Sequence, residues 1–264
     1  AARGGPVVPA LAWLPELVGR GLRAADCVVA PTRAYAEATL RRYGLPVMPA
    51  AVHNGRTPML LAGKPGGDHD GPTMTTAAVF DGRVPLSQAC PFLGALTIGR
   101  LWDEVKDTAT LDAAAAMLDA PFVAIGATCA PHGATVTPTH LRATGPLPAD
   151  QIARWLARRP VFTSAARFEP FGLSVLEAAQ AGCPLVLSDI PTFRELWNGA
   201  ATFVPPGDAQ GFAQAIAALL ADPARHAAQG EAARGRAARY IPAAMAAQMT
   251  GIYRDLLSAK DKAA

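Results

Sequence analysis

Two carboxylates, Glu169 and Glu177, stand eight residues apart with the turn Pro170-Phe171-Gly172-Leu173 between them. The apolar run Val161-Phe162-Thr163 before them reads as a buried strand, and Leu173 to Ala181, rich in Leu and Ala and free of Pro, reads as a helix. Glu169 is therefore expected on a strand-to-helix loop, with the backbone N–H groups of Phe171, Gly172 and Leu173 opening the helix. Such N–H groups lack intrahelical partners and lie at the positive end of the helix dipole, which suits a phosphate. Glu177 falls about one turn inside the helix, near enough to reach the same ligand. Acceptors for hydroxyl groups beside donors for a diphosphate form the set that a sugar nucleotide requires. A second stretch, Thr97 to Asp107, follows the apolar run from Phe92 to Ile98 and precedes an Ala-rich helix beginning near Thr108. It carries Arg100 and Lys106, which taken alone are two cations flanking a helix start.

The segment from Glu169 to Glu177 resembles the E-x7-E region of retaining glycosyltransferases of the GT-B fold, family 4. The likeness runs without a gap through Gly182-Cys183-Pro184-Leu185-Val186-Leu187-Ser188-Asp189 and Phe203-Val204-Pro205-Pro206-Gly207-Asp208. Two glutamates eight apart mean little alone; order, spacing and flanking strands give the match its weight. The resemblance implies that Glu169 contacts the transferred sugar and Glu177 the ribose hydroxyls. It makes Arg100 and Lys106 the cations that neutralise the donor diphosphate, and the Gly145-Pro146-Leu147-Pro148 turn, with Leu147, the neighbour of the nucleobase. Catalysis would rest on Glu169, Arg100 and Lys106. Donor binding would rest on these three with Phe171, Gly172, Leu173, Glu177 and Leu147. A leaving diphosphate gains charge as the glycosidic bond breaks, so fixed cations are the groups to expect. Arg grips two phosphate oxygens while Lys acts as a point charge. The family also implies retention of configuration, no metal and no cofactor beyond the nucleoside diphosphate sugar.

From Phe92 onward strands and helices alternate. Strands suit 92–98, 121–127, 139–143, 160–164, 184–188 and 201–204; helices suit 108–118, 148–158, 173–182, 191–197 and 208–221. Short apolar strands between helices predict an α/β fold, a Rossmann-like parallel sheet with helices on both faces. Ligands of such sheets bind beyond the carboxyl ends of the strands. The loops Gly99 to Lys106, Gly145 to Pro148 and Phe168 to Leu173 all follow strands and should converge there. Asp208 reads as a helix cap. Ile241, Met245, Met249, Ile252 and Leu256 recur at helical spacing and mark a packing face on a last helix.

Before this unit the pattern is thinner. Leu14 to Ala25 reads as a helix, Cys27-Val28-Val29-Ala30 as a short buried strand, and Thr32 as the cap of a helix to about Tyr43. Leu45 to Val52 holds another short strand. The Ala30-Pro31-Thr32 turn resembles the end of a GT-B N-terminal domain, and His53-Asn54-Gly55-Arg56 the start of its interdomain linker. The expected division is 1–52 for a remnant of the N-terminal, acceptor-side domain, 53–91 for a linker or insertion, and 92–264 for the C-terminal nucleotide-sugar-binding domain. Lys64 to Pro72, rich in Gly and Pro, reads as a loop. Its Asp68-His69-Asp70 has the form of a DxD metal signature but lies in a Gly-rich loop rather than at a strand end. Val79-Phe80 and Val84-Pro85-Leu86 suggest a small hairpin about Asp81-Gly82.

The chain has 264 residues, 51% apolar and 17% charged, enough for a sizeable core. A net charge of +3 without a Lys/Arg block argues against nucleic acid as a partner. The partners implied are a nucleotide sugar and an acceptor of saccharide, lipid or small-molecule type. Peripheral membrane contact, and either a missing N-terminal half or self-association, complete the list. Cys27, Cys90, Cys129 and Cys183 form no CxxC pair. Buried free thiols at Cys27 and Cys183 fit a reducing compartment, and the expected setting is the cytoplasm or the inner face of the membrane. The five histidines show no metal spacing, and packing or solvation accounts for Trp102, His132 and His226. No GxGxxG, GxxxxGK or GxSxG occurs. Two further readings stand beside transfer: a non-catalytic sugar-nucleotide-binding module, and an epimerase, for which no added acid–base pair is found.

Overall fold

The computed structural model describes residues 13–59 and 93–263. The second stretch is built on six parallel strands: β3 (Ala95–Ile98), β4 (Phe122–Ile125), β5 (Arg142–Gly145), β6 (Val161–Ser164), β7 (Leu185–Ser188) and β8 (Thr202–Val204). Their order is β5-β4-β3-β6-β7-β8. The helices between and after them are α3 (Thr108–Ala115), α4 (Ala149–Ala157), α5 (Leu173–Gln180), α6 (Pro191–Trp197), α7 (Ala209–Ala221), α8 (Pro223–Ala237) and α9 (Pro242–Ala263). The central strands β3, β4, β6 and β7 read as largely apolar runs because both of their faces are covered, whereas the edge strand β5 is mostly exposed. Leu96, Val123, Ile125, Phe162, Leu185 and Leu187 join one core, with Trp155, Leu176, Phe193, Trp197 and Tyr240. Ala95, Phe122, Ala124, Val161 and Val186 join another, with Leu111, Phe212, Ile216 and Leu219. Alternate residues of these central strands thus point to opposite faces, as the pleat requires. Helices α4, α5 and α6 feed the first core, and α3 and α7 the second.

The expected fold class is therefore the one found: a Rossmann-like parallel α/β sheet with helices on both faces. Most boundaries shift by only a residue or two. The strand expected at 139–143 begins later, at Arg142, because the Asp112 carboxylate accepts from the backbone N–H groups of Thr139, His140 and Leu141 at 2.8–3.1 Å. Amides committed to a carboxylate cannot serve a sheet ladder. Helix α8 was not anticipated, although Asp222, which accepts from Arg225 N at 3.0 Å, and Pro223 at its first position form an ordinary helix start.

In the first stretch α1 (Leu14–Ala24) and α2 (Arg33–Tyr43) accompany two short parallel strands, β1 (Val29–Ala30) and β2 (Ala50–Ala51), paired Val29↔Ala50 and Ala30↔Ala51. Thr32 caps α2 as expected, accepting from Tyr35 N at 3.2 Å. Cys27 is exposed rather than buried, since the strand starts two residues after it. Cys183 is buried, and that burial pushes its thiol well above the ordinary range. Cys90, the Asp68-His69-Asp70 triplet and the hairpin expected about Asp81-Gly82 lie outside the described residues. No helix among the described residues is long and apolar enough to cross a membrane.

Candidate functional site

The strand order reverses between β3 and β6. From β3 the chain moves to β4 and β5 on one side; from β6 it moves to β7 and β8 on the other. Loops diverging from such a point leave a crevice at the carboxyl ends of the strands. The two loops that flank it here are Gly99 to Asp107 and Ala165 to Gly172. Backbone and side chains tie them together: Arg167 N donates to Val105 O at 2.9 Å, and Arg167 Nε to Asp107 Oδ2 at 2.8 Å. Asp107 is buried, holds φ at +52°, and also receives the Thr110 hydroxyl at 2.8 Å. The residue after the 3₁₀ turn Glu104–Lys106 is thus pinned where the chain bends into α3.

Within this frame Lys106 Nζ donates to Glu169 Oε2. These two residues, 63 apart in sequence, are among those singled out from the sequence, and the fold brings them together. The lysine is 25% exposed and the glutamate 16%, so the pair is partly shielded from water yet open to a ligand. An ammonium has three donors, and one spent on Glu169 leaves others for a phosphate oxygen.

Beside this pair α5 begins. Gly172 is its N-cap with φ at +87° and has no side chain to occupy the first-turn N–H groups. The Phe171 ring is buried, T-shaped against Tyr240 at 5.6 Å. Phe171 therefore anchors the loop through its side chain, leaving its backbone for a ligand. Leu173 is exposed on the first turn. Two carbonyls of the loop are held by hydroxyls: Thr192 Oγ1 donates to Glu169 O at 2.6 Å and Thr32 Oγ1 to Pro170 O at 3.0 Å.

Arg100 lies at the rim rather than on the pair. Its Nη2 donates to Asp103 Oδ2 at 2.8 Å, and its guanidinium sits over the Trp102 ring at 5.5 Å. Trp102 in turn meets His132 edge-on at 5.4 Å. Leu147 follows β5 and is half-buried against the first core. Two strand spacings, about 10 Å, separate β5 from β3, so Leu147 stands on the far side of the crevice from Glu169. Glu177 is held by Arg56, whose Nε lies 2.7 Å from Oε1, and Gln180 Nε2 donates to Arg56 O at 2.7 Å. Burial raises the Glu177 carboxyl above the ordinary range and Arg56 only partly offsets this. Glu177, Gln180, Arg159 and Met59 border a cavity of about 250 Å³ beneath it.

Sequence reasoning missed Arg56 as a partner of Glu177, Arg167 and Asp107 as the tie between loops, and Thr192 as a support for Glu169. Only Asp107, an acidic residue just before a helical run, carried a local signal. Among the described residues no group of three or more His, Cys, Asp or Glu is gathered as a metal site would be.

The fold is the Rossmann-like parallel sheet seen in solved GT-B glycosyltransferases. Residues 94–222 match the model of the family described as group 1 glycosyl transferases. A glycogen synthase of Mycobacterium tuberculosis (strain ATCC 25618 / H37Rv) is 40% identical over 101 residues, which is 36% of this chain and 24% of that protein. Among solved structures, sucrose-phosphate synthase from Thermosynechococcus elongatus superposes with a TM-score of 0.70 at 23% identity, covering 93% of this chain and 62% of that one. Anabaena HepE in complex with UDP-glucose gives 0.70 at 18% identity, covering 91% and 67%. The chain thus spans about a quarter of the glycogen synthase and under two thirds of the sucrose-phosphate synthase.

Proposed function

We propose that this chain carries the donor half of a glycosyltransferase that moves a sugar from a nucleoside diphosphate to an acceptor, with retention of configuration and without a metal. The observation that carries the reading is the Lys106–Glu169 pair at the sheet reversal, beside the open start of α5. The diphosphate would lie across the first-turn N–H groups of α5, with Lys106 and Arg100 as its cations. As the glycosidic bond breaks, charge grows on the leaving phosphate, and donors already fixed in place stabilise it without reorganising. Glu169, already oriented by Lys106, would accept from sugar hydroxyls. Glu177 would leave Arg56, or share it, to hold the ribose, and Leu147 would border the base. HepE, whose structure contains UDP-glucose, supports this class of donor. Residues 1–52 would then belong to an acceptor-side domain, 53–91 to the connection, and 92–264 to the donor domain; the acceptor would be a saccharide, lipid or small molecule.

Calorimetry with UDP, ADP and GDP and their glucose conjugates, in EDTA, tests the reading. At least one nucleoside diphosphate should bind, and at 100 times its dissociation constant it should stabilise the fold by about 2.7 kcal/mol. Glu177→Ala should weaken both nucleotide and sugar nucleotide by about 1.5–3 kcal/mol, the worth of a charged hydrogen bond. Glu169→Ala should spare the nucleotide and weaken the sugar nucleotide. Binding that EDTA abolishes, no binding at all, or equal losses for both ligands in both variants would overturn it.

A further inference from the structure

The consecutive carbonyls of Glu169 and Pro170 are each held by a threonine hydroxyl, and the two threonines come from different parts of the chain. Thr192 on α6 donates to Glu169 O at 2.6 Å. Thr32, at the start of α2, donates to Pro170 O at 3.0 Å across a separation of 138 residues. Both threonines are buried, Thr32 completely. The Thr32 hydroxyl serves twice: its oxygen accepts from Tyr35 N as the helix cap, and its one hydrogen goes to Pro170 O.

A third group locks the arrangement. Glu195, nearly one turn beyond Thr192 on α6, accepts from Arg33 N at 2.8 Å and Ala34 N at 2.7 Å, and pairs with His53 at 3.1 Å. Arg33 and Ala34 open α2, so a carboxylate sits at the positive end of that helix. The Tyr35 ring lies 5.8 Å from Phe168, the residue before Glu169. The start of α2, helix α6 and the loop 168–170 therefore form a closed ring of hydrogen bonds around the backbone from which Glu169 projects.

We infer that Thr32 and Thr192 are positioning residues for Glu169. This rests on the proposed role of Glu169 toward the donor sugar. Neither threonine needs to touch the donor; each fixes a carbonyl, and together they set the direction of the Glu169 side chain toward Lys106. Thr32 makes that direction depend on the docking of α2, an element outside the six-stranded sheet. Removing either hydroxyl leaves a carbonyl without its partner and frees the loop to turn, so the sugar contact is lost while the phosphate contacts of the α5 start remain.

The test is calorimetry on the full chain with UDP and UDP-glucose, or with the ADP or GDP pair if the wild type prefers one of those. Thr32→Val keeps the shape and removes the hydroxyl; Thr32→Ser keeps the hydroxyl. The valine variant should lose about fivefold in affinity for the sugar nucleotide, the equivalent of one net hydrogen bond of about 1 kcal/mol. Its affinity for the free nucleotide should stay unchanged, and Thr32→Ser should restore the wild-type ratio. Thr192→Val carries the same expectation through the other carbonyl. A ratio of sugar-nucleotide to nucleotide affinity that matches the wild type in every folded valine variant overturns the inference. So does failure of serine to restore the ratio, or failure of both valine variants to fold, since the threonines would then be plain supports of the core. A wild type that binds neither ligand would instead overturn the donor reading, a separate result.

Discussion

Gly172→Ala should damage both the fold and the proposed sugar contact, and its cost can be worked in two parts. The first part is backbone: φ is +87°, where an L-residue costs about 1–2 kcal/mol. The second is steric. A β-carbon would lie 3.1 Å from Phe193 Cε1, 3.2 Å from Val175 Cγ2 and 3.4 Å from Glu169 Cγ. Phe193 and Val175 are fully buried, so each must shift by a few tenths of an ångström within a packed core. A methyl forced into such a site costs about 1–3 kcal/mol. Gly199→Ala is the control: φ is +80° and a β-carbon would meet nothing within 4 Å, so it reports the backbone part alone. At about 2–4 °C per kcal/mol for a domain of this size, the control should melt about 2–8 °C below the wild type and Gly172→Ala a further few degrees below the control. The Glu169 contact adds a functional signature, since the new methyl would lie against the stem of the carboxylate proposed to meet the sugar. Gly172→Ala should therefore weaken UDP-glucose binding, and Gly199→Ala should not. Circular-dichroism melting and calorimetry decide it. Coincident melting of the two variants together with wild-type affinity for the sugar nucleotide would refute the argument that this glycine fixes the geometry of the loop.

Two further outcomes follow from charged groups away from the pair. Burial raises the Asp112 carboxyl, but bonds from the Leu141, Thr139 and His140 amides and the Thr139 hydroxyl outweigh it and leave the group below its ordinary value. A lowered carboxylate stabilises the fold above its unfolded value of about 3.9, and that contribution disappears as pH falls through the folded value. Asp112→Ala should thus cost about 1.5–3 kcal/mol at neutral pH and progressively less as pH falls below the unfolded value, as read by urea unfolding in a series from pH 7 downward. Arg56→Ala acts on Glu177 with the opposite sign. It removes the one influence that lowers a carboxyl already raised by burial, so the penalty of the ionised group at pH 7 grows and is relieved as pH falls. The melting difference from the wild type should narrow between pH 7 and pH 5; a constant difference would show that Arg56 serves only to pack.

The fold was legible because each of its parts announces itself locally. Apolar runs of four or five residues separated by Ala-rich helical stretches admit few arrangements other than a covered parallel sheet, and the alternation along Leu185, Val186 and Leu187 between two cores is that pattern realised. The errors have local causes as well. Thr139 to Leu141 looked like strand because propensity does not register a carboxylate 27 to 29 residues upstream taking their amides. Cys27 looked buried because an apolar run was taken as strand throughout, whereas only its last two residues pair.

The candidate site was legible only in part, and the division follows the range of the interactions. Lys106 and Glu169 could be named because each sits at a strand-to-helix loop whose position the strand pattern already gives; their meeting is a consequence of β3 lying next to β6. Arg56, Thr32 and Glu195 act from one part of the chain on another, across 121 to 162 residues, and no spacing encodes such a contact. Thr32 illustrates the point. As a helix cap it satisfies every local rule, so its sequence context is complete without any second task. Its hydrogen, however, must go somewhere once the residue is buried, because an unmade hydrogen bond there would cost about 1–3 kcal/mol. Only packing against α6 decides that it goes to Pro170 and so to the backbone of Glu169. The residues that would touch a donor are thus fixed by topology, while those that would aim them are fixed by docking.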